Sequence, residues 1–503
     1  MVHILDFPPE ILEKIFQEIN EDEFFSVYGS CKRFHDLLAR DLTLHKCYRA
    51  RYHTLSTEKT LRTCKYHAIA GILHNILDKP WKARLVQKLE VGYLLHDRYT
   101  CRCYRRIGKP PAQNLLPKIR DALLEFDLAK DRAEWIDDVQ NCKPNVLLAI
   151  LLFHLPCLST LECQGQVDRF YRPNETPPPN ALLTALCLIA QNPALGLLSR
   201  LKHISLQQNN DKDGCIVPVG VFKACFRLPS LQSIKVRALH WDRTSDDQDD
   251  LTPGSSTVTN MHVGDVATQE QKELLEKLIA APRQLKESGC NHFSLKTHGD
   301  GTSDNSTYVT GTALRGSDLL PILLQYHKDS LESLTLTSIL CLPKEPLRHL
   351  NQFINLHYLD VDLWLLVTSA IEDDQITPET FAETIAKGLP RSLQHLVLRE
   401  SGPYLSKYGD KLLDLLECLI TQKDPYLPKW THLDLYLPDH SEIDGFDDPW
   451  YVYIHEFSMN FSELCGEAAI SLRTVFASEV CKAYRQYDWW DETTDERAKF
   501  DFP

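Results

Sequence analysis

Leu331-Glu-Ser-Leu-Thr-Leu336 is a leading leucine, two variable residues, and two apolar residues set two apart. That last spacing places both on one face of a short strand. The form recurs at Leu158, Leu161 and Cys163; Leu201, Ile204 and Leu206; Leu231, Ile234 and Val236; Leu356, Leu359 and Val361; and Leu393, Leu396 and Leu398. Weaker versions stand at Val86, Leu89 and Val91, at Cys290, Phe293 and Leu295, and at Trp430, Leu433 and Leu435. Several are preceded by apolar segments that read as helix, at residues 146–155, 181–190, 319–326, 381–389 and 412–420.

Strand alternating with helix at irregular intervals of about 25 to 60 residues resembles a leucine-rich-repeat solenoid with degenerate, insertion-bearing repeats. A doubly wound parallel sheet shares the rhythm, but would normally carry longer hydrophobic strands and a glycine-rich first turn. The solenoid is assigned to residues 85–449, after a helical connector at 54–84. The ends of a solenoid need covering, because each unit buries its apolar face only against neighbours. Residues 450–503, with Trp450, Tyr451, Tyr453, Phe457, Trp489 and Trp490, are read as a C-terminal cap trailing into an acidic tail. If exposed, the same aromatics would form an interaction patch.

Three insertions interrupt the repeats. Residues 240–260 set Asp242, Asp246, Asp247, Asp249 and Asp250 against Arg243 and have the composition of a disordered loop. Residues 298–312 are rich in Gly, Ser, Thr and Asp, and residues 439–449 are acidic. Loops on a rigid array are where partner recognition tends to be placed. Neither acidic loop has the ligand spacing of an EF-hand.

Ahead of the repeats, Ile11, Leu12, Ile15, Phe16 and Ile19 form one stripe of a helix, with Pro8 and Pro9 just before it or in its first turn. Asn20 with Glu23 reads as a capping box for a second helix bearing Phe24, Val27, Tyr28 and Cys31. Ser30 is placed to cap a third, carrying Phe34, Leu37 and Leu38. So small a unit is near the lower limit for a core of its own, so part of its apolar surface is expected to meet something else.

The order Phe7-Pro8, Glu10-Ile11-Leu12, Ile15-Phe16, Val27, Cys31, Phe34, Leu38 resembles an F-box, and the chain as a whole resembles an F-box protein with degenerate leucine-rich repeats of fungal type. It departs from the family pattern at Gly29-Ser30, where an apolar or Arg residue is more usual, and at Leu44 or His45, where many members have Trp. The resemblance implies a three-helix F-box at residues 1–53 that docks on the Skp-type adaptor of a cullin ubiquitin ligase. Phe7, Pro8, Ile11, Leu12, Ile15, Phe16, Val27, Cys31 and Phe34 would be its adaptor-binding residues. The expected fold class is therefore α/β, an N-terminal three-helix F-box followed by an irregular leucine-rich-repeat-like solenoid. The expected function is substrate recognition in a Skp-cullin-F-box ligase, the repeats holding a protein target. The alternatives are a repeat scaffold that binds the adaptor outside any ligase, a repeat protein whose N-terminal helices merely cap its own repeats, and a hydrolase hidden in degenerate sequence.

Composition bounds the rest. The 503 residues are 43% hydrophobic and 25% charged, as in a folded soluble protein. No charged-then-apolar leader opens the sequence, and the longest apolar run, residues 146–155, falls short of a bilayer span. An intracellular protein with no membrane contact is expected. The 16 cysteines are scattered without a Cys-x-x-Cys pair, which suits reduced, buried thiols such as Cys157, Cys163 and Cys225. Cys47, His53, Cys64, His67, Cys101 and Cys103 come nearest to a metal set, but their spacings match no paired zinc pattern, so no metal or cofactor is expected.

Charge is uneven. Residues 1–120 hold 21 Lys and Arg against 13 Asp and Glu, a net of +8, so the remainder carries −22 to reach the chain's −14. Arg98, Arg102, Arg105, Arg106 and Lys109 lie in one segment with Tyr99 and Tyr104, which is a nucleic-acid-like composition. A solvated loop is the preferred reading, because the protein as a whole is acidic. No phosphate-binding loop, nucleophile elbow, His-Glu-x-x-His or dinucleotide fingerprint is present, and no intrinsic catalysis is expected.

Overall fold

The computed structural model describes residues 7–8, 11–12, 32, 52–56, 65–91, 115–125, 132–140, 143–164, 181–207, 216–240, 251–265, 272–292, 316–338, 347, 349–367, 377–399, 405–437 and 461–476. They fall into two units, the first comprising residues 1–205 with 228–230 and the second the remainder.

In the first unit the strands β1 (Thr54–Ser56) and β2 (Lys88–Val91) enclose α1 (Lys65–Asp78). After them come α2 (Leu116–Glu125), α3 (Arg132–Gln140), α4 (Pro144–Phe153), β3 (Thr160–Gln164), α5 (Ala181–Gln191) and the start of β4 (His203–Gln207). Pro144 occupies the first turn of α4, where its missing amide costs nothing. Residues 147–153 of that helix are buried on every side, so α4 is a core helix, with α1 and α5 packed against it. β1, β2 and β3 are parallel neighbours, with Leu55 beside Leu89, Leu89 beside Leu161 and Val91 beside Cys163.

The second unit contains β5 (Ile216–Pro218), α6 (Val219–Cys225), β6 (Ser233–His240), β7 (Asn260–Asp265), α7 (Lys272–Ala280), β8 (Glu287–His292), α8 (Gly316–His327) and β9 (Ser333–Ser338). It continues with β10 (Tyr358–Asp362), α9 (Leu363–Val367), α10 (Pro378–Gly388), β11 (His395–Arg399), α11 (Leu405–Thr421), α12 (Lys423–Tyr426), β12 (His432–Leu437) and β13 (Ser471–Phe476). Thr377 caps α10 by accepting from the Thr380 amide, with Pro378 at the first position and Glu379 and Lys387 at the ends that suit the helix dipole.

From β6 to β13 every strand pairs in parallel with the next one in sequence, and β5 adds to the far end of β6. A doubly wound sheet reverses its strand order at a switch point; here each unit steps the same way, as in a solenoid. The register stacks Leu334, Leu359, Leu396 and Leu433 as one row and Leu336, Val361, Leu398 and Leu435 as the next, all buried.

The backbone repeats as well. The carbonyl just after each leading apolar residue accepts two amides from the following repeat, as Gln232 does from Thr259 and Asn260, Glu332 from His357 and Tyr358, and Gln394 from Thr431 and His432. A hydroxyl just before the leading residue adds a third tie: Thr257 donates to the Leu231 carbonyl, Ser330 to that of Leu285 and Ser392 to that of Leu356.

Three expectations change. The weak repeat at Cys290, Phe293 and Leu295 is displaced, because β8 runs over Glu287–His292 with Leu285 as its leading residue and Ser288 and Cys290 in the strand positions. Residues 251–260 of the segment 240–260 depart from the expected disordered loop. They are built into the fold, with Leu251, Ser256 and Val258 buried and the Ser256 amide donating to the Ala281 carbonyl. Val258, Met261 and Val263 are a repeat in their own right, the strand positions filling β7. The parallel sheet also starts at Thr54, inside the stretch read as connector.

Cys163, Cys225 and Cys465 are buried, and burial pushes the thiols of Cys187 and Cys465 up to about 11. Among the described residues no helix is long and apolar enough to cross a membrane.

Candidate functional site

The residues between the buried leucines point to the opposite face of the sheet. On β10 these are Tyr358, Asp360 and Asp362, on β11 His395, Val397 and Arg399, and on β12 His432, Asp434 and Tyr436. Parallel register turns them into rows. Tyr358, His395 and His432 stand side by side, with ring centroids 4.9 Å apart between the first two and 5.5 Å between the second two. His395 Nε2 lies 3.1 Å from Asp434 Oδ2, and Nδ1 of His432 lies 2.8 Å from the Thr431 hydroxyl.

Beside that row Arg399 grips Asp360 with two hydrogen bonds, Nε to Oδ1 at 2.6 Å and Nη2 to Oδ2 at 2.8 Å. Both side chains are almost completely buried. The Tyr436 ring stacks 4.4 Å from the guanidinium carbon. Burial opposes the Arg399 charge, but the Asp360 carboxylate outweighs it and holds the group above its ordinary value. Asp362 accepts from the Trp364 amide and so opens α9. Burial raises the Tyr436 phenol, which leaves it a neutral hydrogen-bonding group.

Further along the same unit, a side chain on Gly289 would place its Cβ 2.2 Å from His262 Nδ1. Glycine here is what lets the buried imidazole of β7 lie across β8. His327 at the end of α8 is buried and presents Nε2 2.6 Å from the Ile279 carbonyl, while its Nδ1 faces the Leu285 amide. Those partners fix a neutral imidazole, donor at Nε2 and acceptor at Nδ1, and burial lowers its pKa.

In the first unit, Lys88 sits between Glu90 at 3.0 Å and Glu162 at 2.8 Å. Residues 61–167 match the family model of the leucine-rich repeat domain. The match covers α1 to β3 of this unit, where Leu89 and Leu161 form the ladder and Lys88, Glu90 and Glu162 its opposite face. No curated protein matches the chain.

Of the nine adaptor-binding residues expected from sequence, four are described. The Pro8 carbonyl accepts from the amides of Ile11 and Leu12, which opens a helical turn. Phe7 and Ile11 are exposed apolar side chains, at 37% and 41%, and Pro8 is exposed, whereas Leu12 is fully enclosed. Ile15, Phe16, Val27, Cys31 and Phe34 lie outside the described residues, as do the basic segment 98–109, the insertion 298–312, residues 439–449 and the aromatic stretch from Trp450 to Phe457. Of the six metal candidates only His53 has a described side chain, and it is engaged with Thr54 at 3.2 Å and Gln87 at 3.0 Å. No group of three His, Cys, Asp or Glu is placed to hold a metal ion among the described residues.

What the arrangement offers at the surface is the partly exposed row of Tyr358, His395 and His432 with Asp434, braced on a buried ion pair. The sequence reading missed these residues because it followed the leucines. Reading the intervening positions down successive repeats, Tyr358, His395 and His432, then Asp360, Val397 and Asp434, would have found them.

Proposed function

We propose that this chain is the substrate-recognition subunit of a Skp-cullin-F-box ubiquitin ligase, docking on the adaptor through residues 7–34 and holding a protein target on the repeat sheet. Catalysis in this reading is by proximity: the target's lysines are held where a charged conjugating enzyme can reach them, and this chain donates no catalytic group. The observation that carries the docking half is the partly exposed apolar pair Phe7 and Ile11 on a turn started by Pro8. The repeat match and the polar face opposite the leucine rows support the target-holding half. Cysteines buried outside any disulfide suit a reducing intracellular compartment.

Tagged wild-type chain purified from cells should carry adaptor and cullin together, and Phe7→Asp with Ile11→Asp should lose both while the repeats stay folded, because the change places charge in a desolvated contact. Absence of adaptor from the wild-type complex would refute the docking half. A second reading, a repeat scaffold whose N-terminal helices cap its own chain, is favoured by Leu12, which this chain encloses completely. Adaptor without cullin would point instead to a scaffold outside any ligase.

A further inference from the structure

His395 and His432 are opposite each other in register on adjacent parallel strands. Their rings are 5.5 Å apart, so two imidazolium charges there would repel at short range, and a single one has the Asp434 carboxylate beside it. We propose that this pair is a proton-responsive rung of the sheet face, which takes up its second proton only against the charge of the first and so changes the charge offered to a partner across the range in which histidine titrates. This rests on the reading of the face as the surface that holds a target.

Charged and aromatic groups surround the rung. Among the described residues these are Tyr358, Asp360 and Asp362 on β10, Arg399 on β11, Asp434 and Tyr436 on β12, and Arg473, which pairs in register with Asp434, on β13. Arg399 is bonded to Asp360, Arg473 pairs in register with Asp434, and the Asp362 carboxylate accepts from the Trp364 amide. Protonating both imidazoles adds two positive charges to this face. A basic partner segment is held less well in the protonated state than in the neutral one. Burial lowers the His432 pKa, the neighbouring His395 lowers it further, and Asp434 pulls the other way.

The test is a pH titration from 8 to 5 of the intact chain, its histidines isotope-labelled, followed by NMR, with His432→Gln identifying the His432 resonance. His432 should titrate below the ordinary histidine range. His395→Gln should raise its midpoint and Asp434→Asn should lower it further, so that two changes on opposite sides of the ring give opposite shifts. A His432 midpoint that neither change moves, or that moves the same way in both, overturns the proposal. The titration is read on the free chain, so its failure leaves adaptor docking standing, and a chain that captures no adaptor leaves this result untouched.

Discussion

Lys88 and Arg399 each stand on the face of a parallel strand opposite the leucines, and each reaches across to a carboxylate on the neighbouring strand, yet the two pairs are physically different objects. The Lys88 and Glu162 side chains keep 32% and 30% of their surface, while Arg399 and Asp360 keep 7% and 2%. Water competes for the first pair and screens it, so its net worth is small. The second has given up hydration on both sides, and each partner now depends on the other. One sheet design therefore supplies an adjustable polar surface in one region and a committed, buried clamp in another.

The largest effect should come from breaking the clamp. Arg399→Ala leaves Asp360 charged and buried, and a loss of about 3–5 kcal/mol is expected in urea denaturation of the second unit. Replacing both partners, with Asp360→Leu and Arg399→Met, should cost far less, since the desolvation penalty leaves with them. If the single change costs no more than a surface pair, the contrast between the two regions is lost.

Gly289→Ala comes next. The new Cβ meets the His262 ring, so the imidazole has to move, at a cost of about 1–3 kcal/mol. His262→Ala in the same chain should relieve most of it, and a double-mutant cycle measures that coupling.

His327 sharpens the comparison from another side, because here the fold excludes a charge instead of pairing it. Its pKa in the folded chain lies below the ordinary value of 6.5. Above that pH both states are neutral and nothing is lost. As pH falls through 6.5 the unfolded chain takes the proton first, so stability should decline until the folded-state pKa is passed. His327→Gln should flatten that part of a stability-against-pH curve.

The smallest effect belongs to Lys88→Met. It should change stability by less than about 1 kcal/mol, and the difference should shrink further in high salt.

The row of strands was legible wherever the repeat kept leucine or a close substitute, as at Leu334 and Leu336 or Leu396 and Leu398. It was illegible at β8, where Ser288 takes a leucine position and the register is supplied by strands on either side, and it went unread at β7, where Val258, Met261 and Val263 keep the apolar spacing at the end of an acidic stretch. Hydroxyls ahead of the leading residue, Thr257, Ser330 and Ser392, were a second signal of the same repeat. The clamp had no local signature, because Asp360 and Arg399 are 39 residues apart and meet only through the pairing of β10 with β11. A short strand motif can be read from neighbours in sequence; a cross-strand contact requires knowing which strands lie side by side.

The division of labour proposed here, docking at the N-terminal helices and target-holding on the sheet, is tested most directly by calorimetric titration of purified Skp-type adaptor into the purified intact chain and its Ile11→Asp variant. The expected result is one adaptor bound per wild-type chain and none per variant, with both chains unfolding alike. Equal binding by the two, or no binding by either, would contradict it.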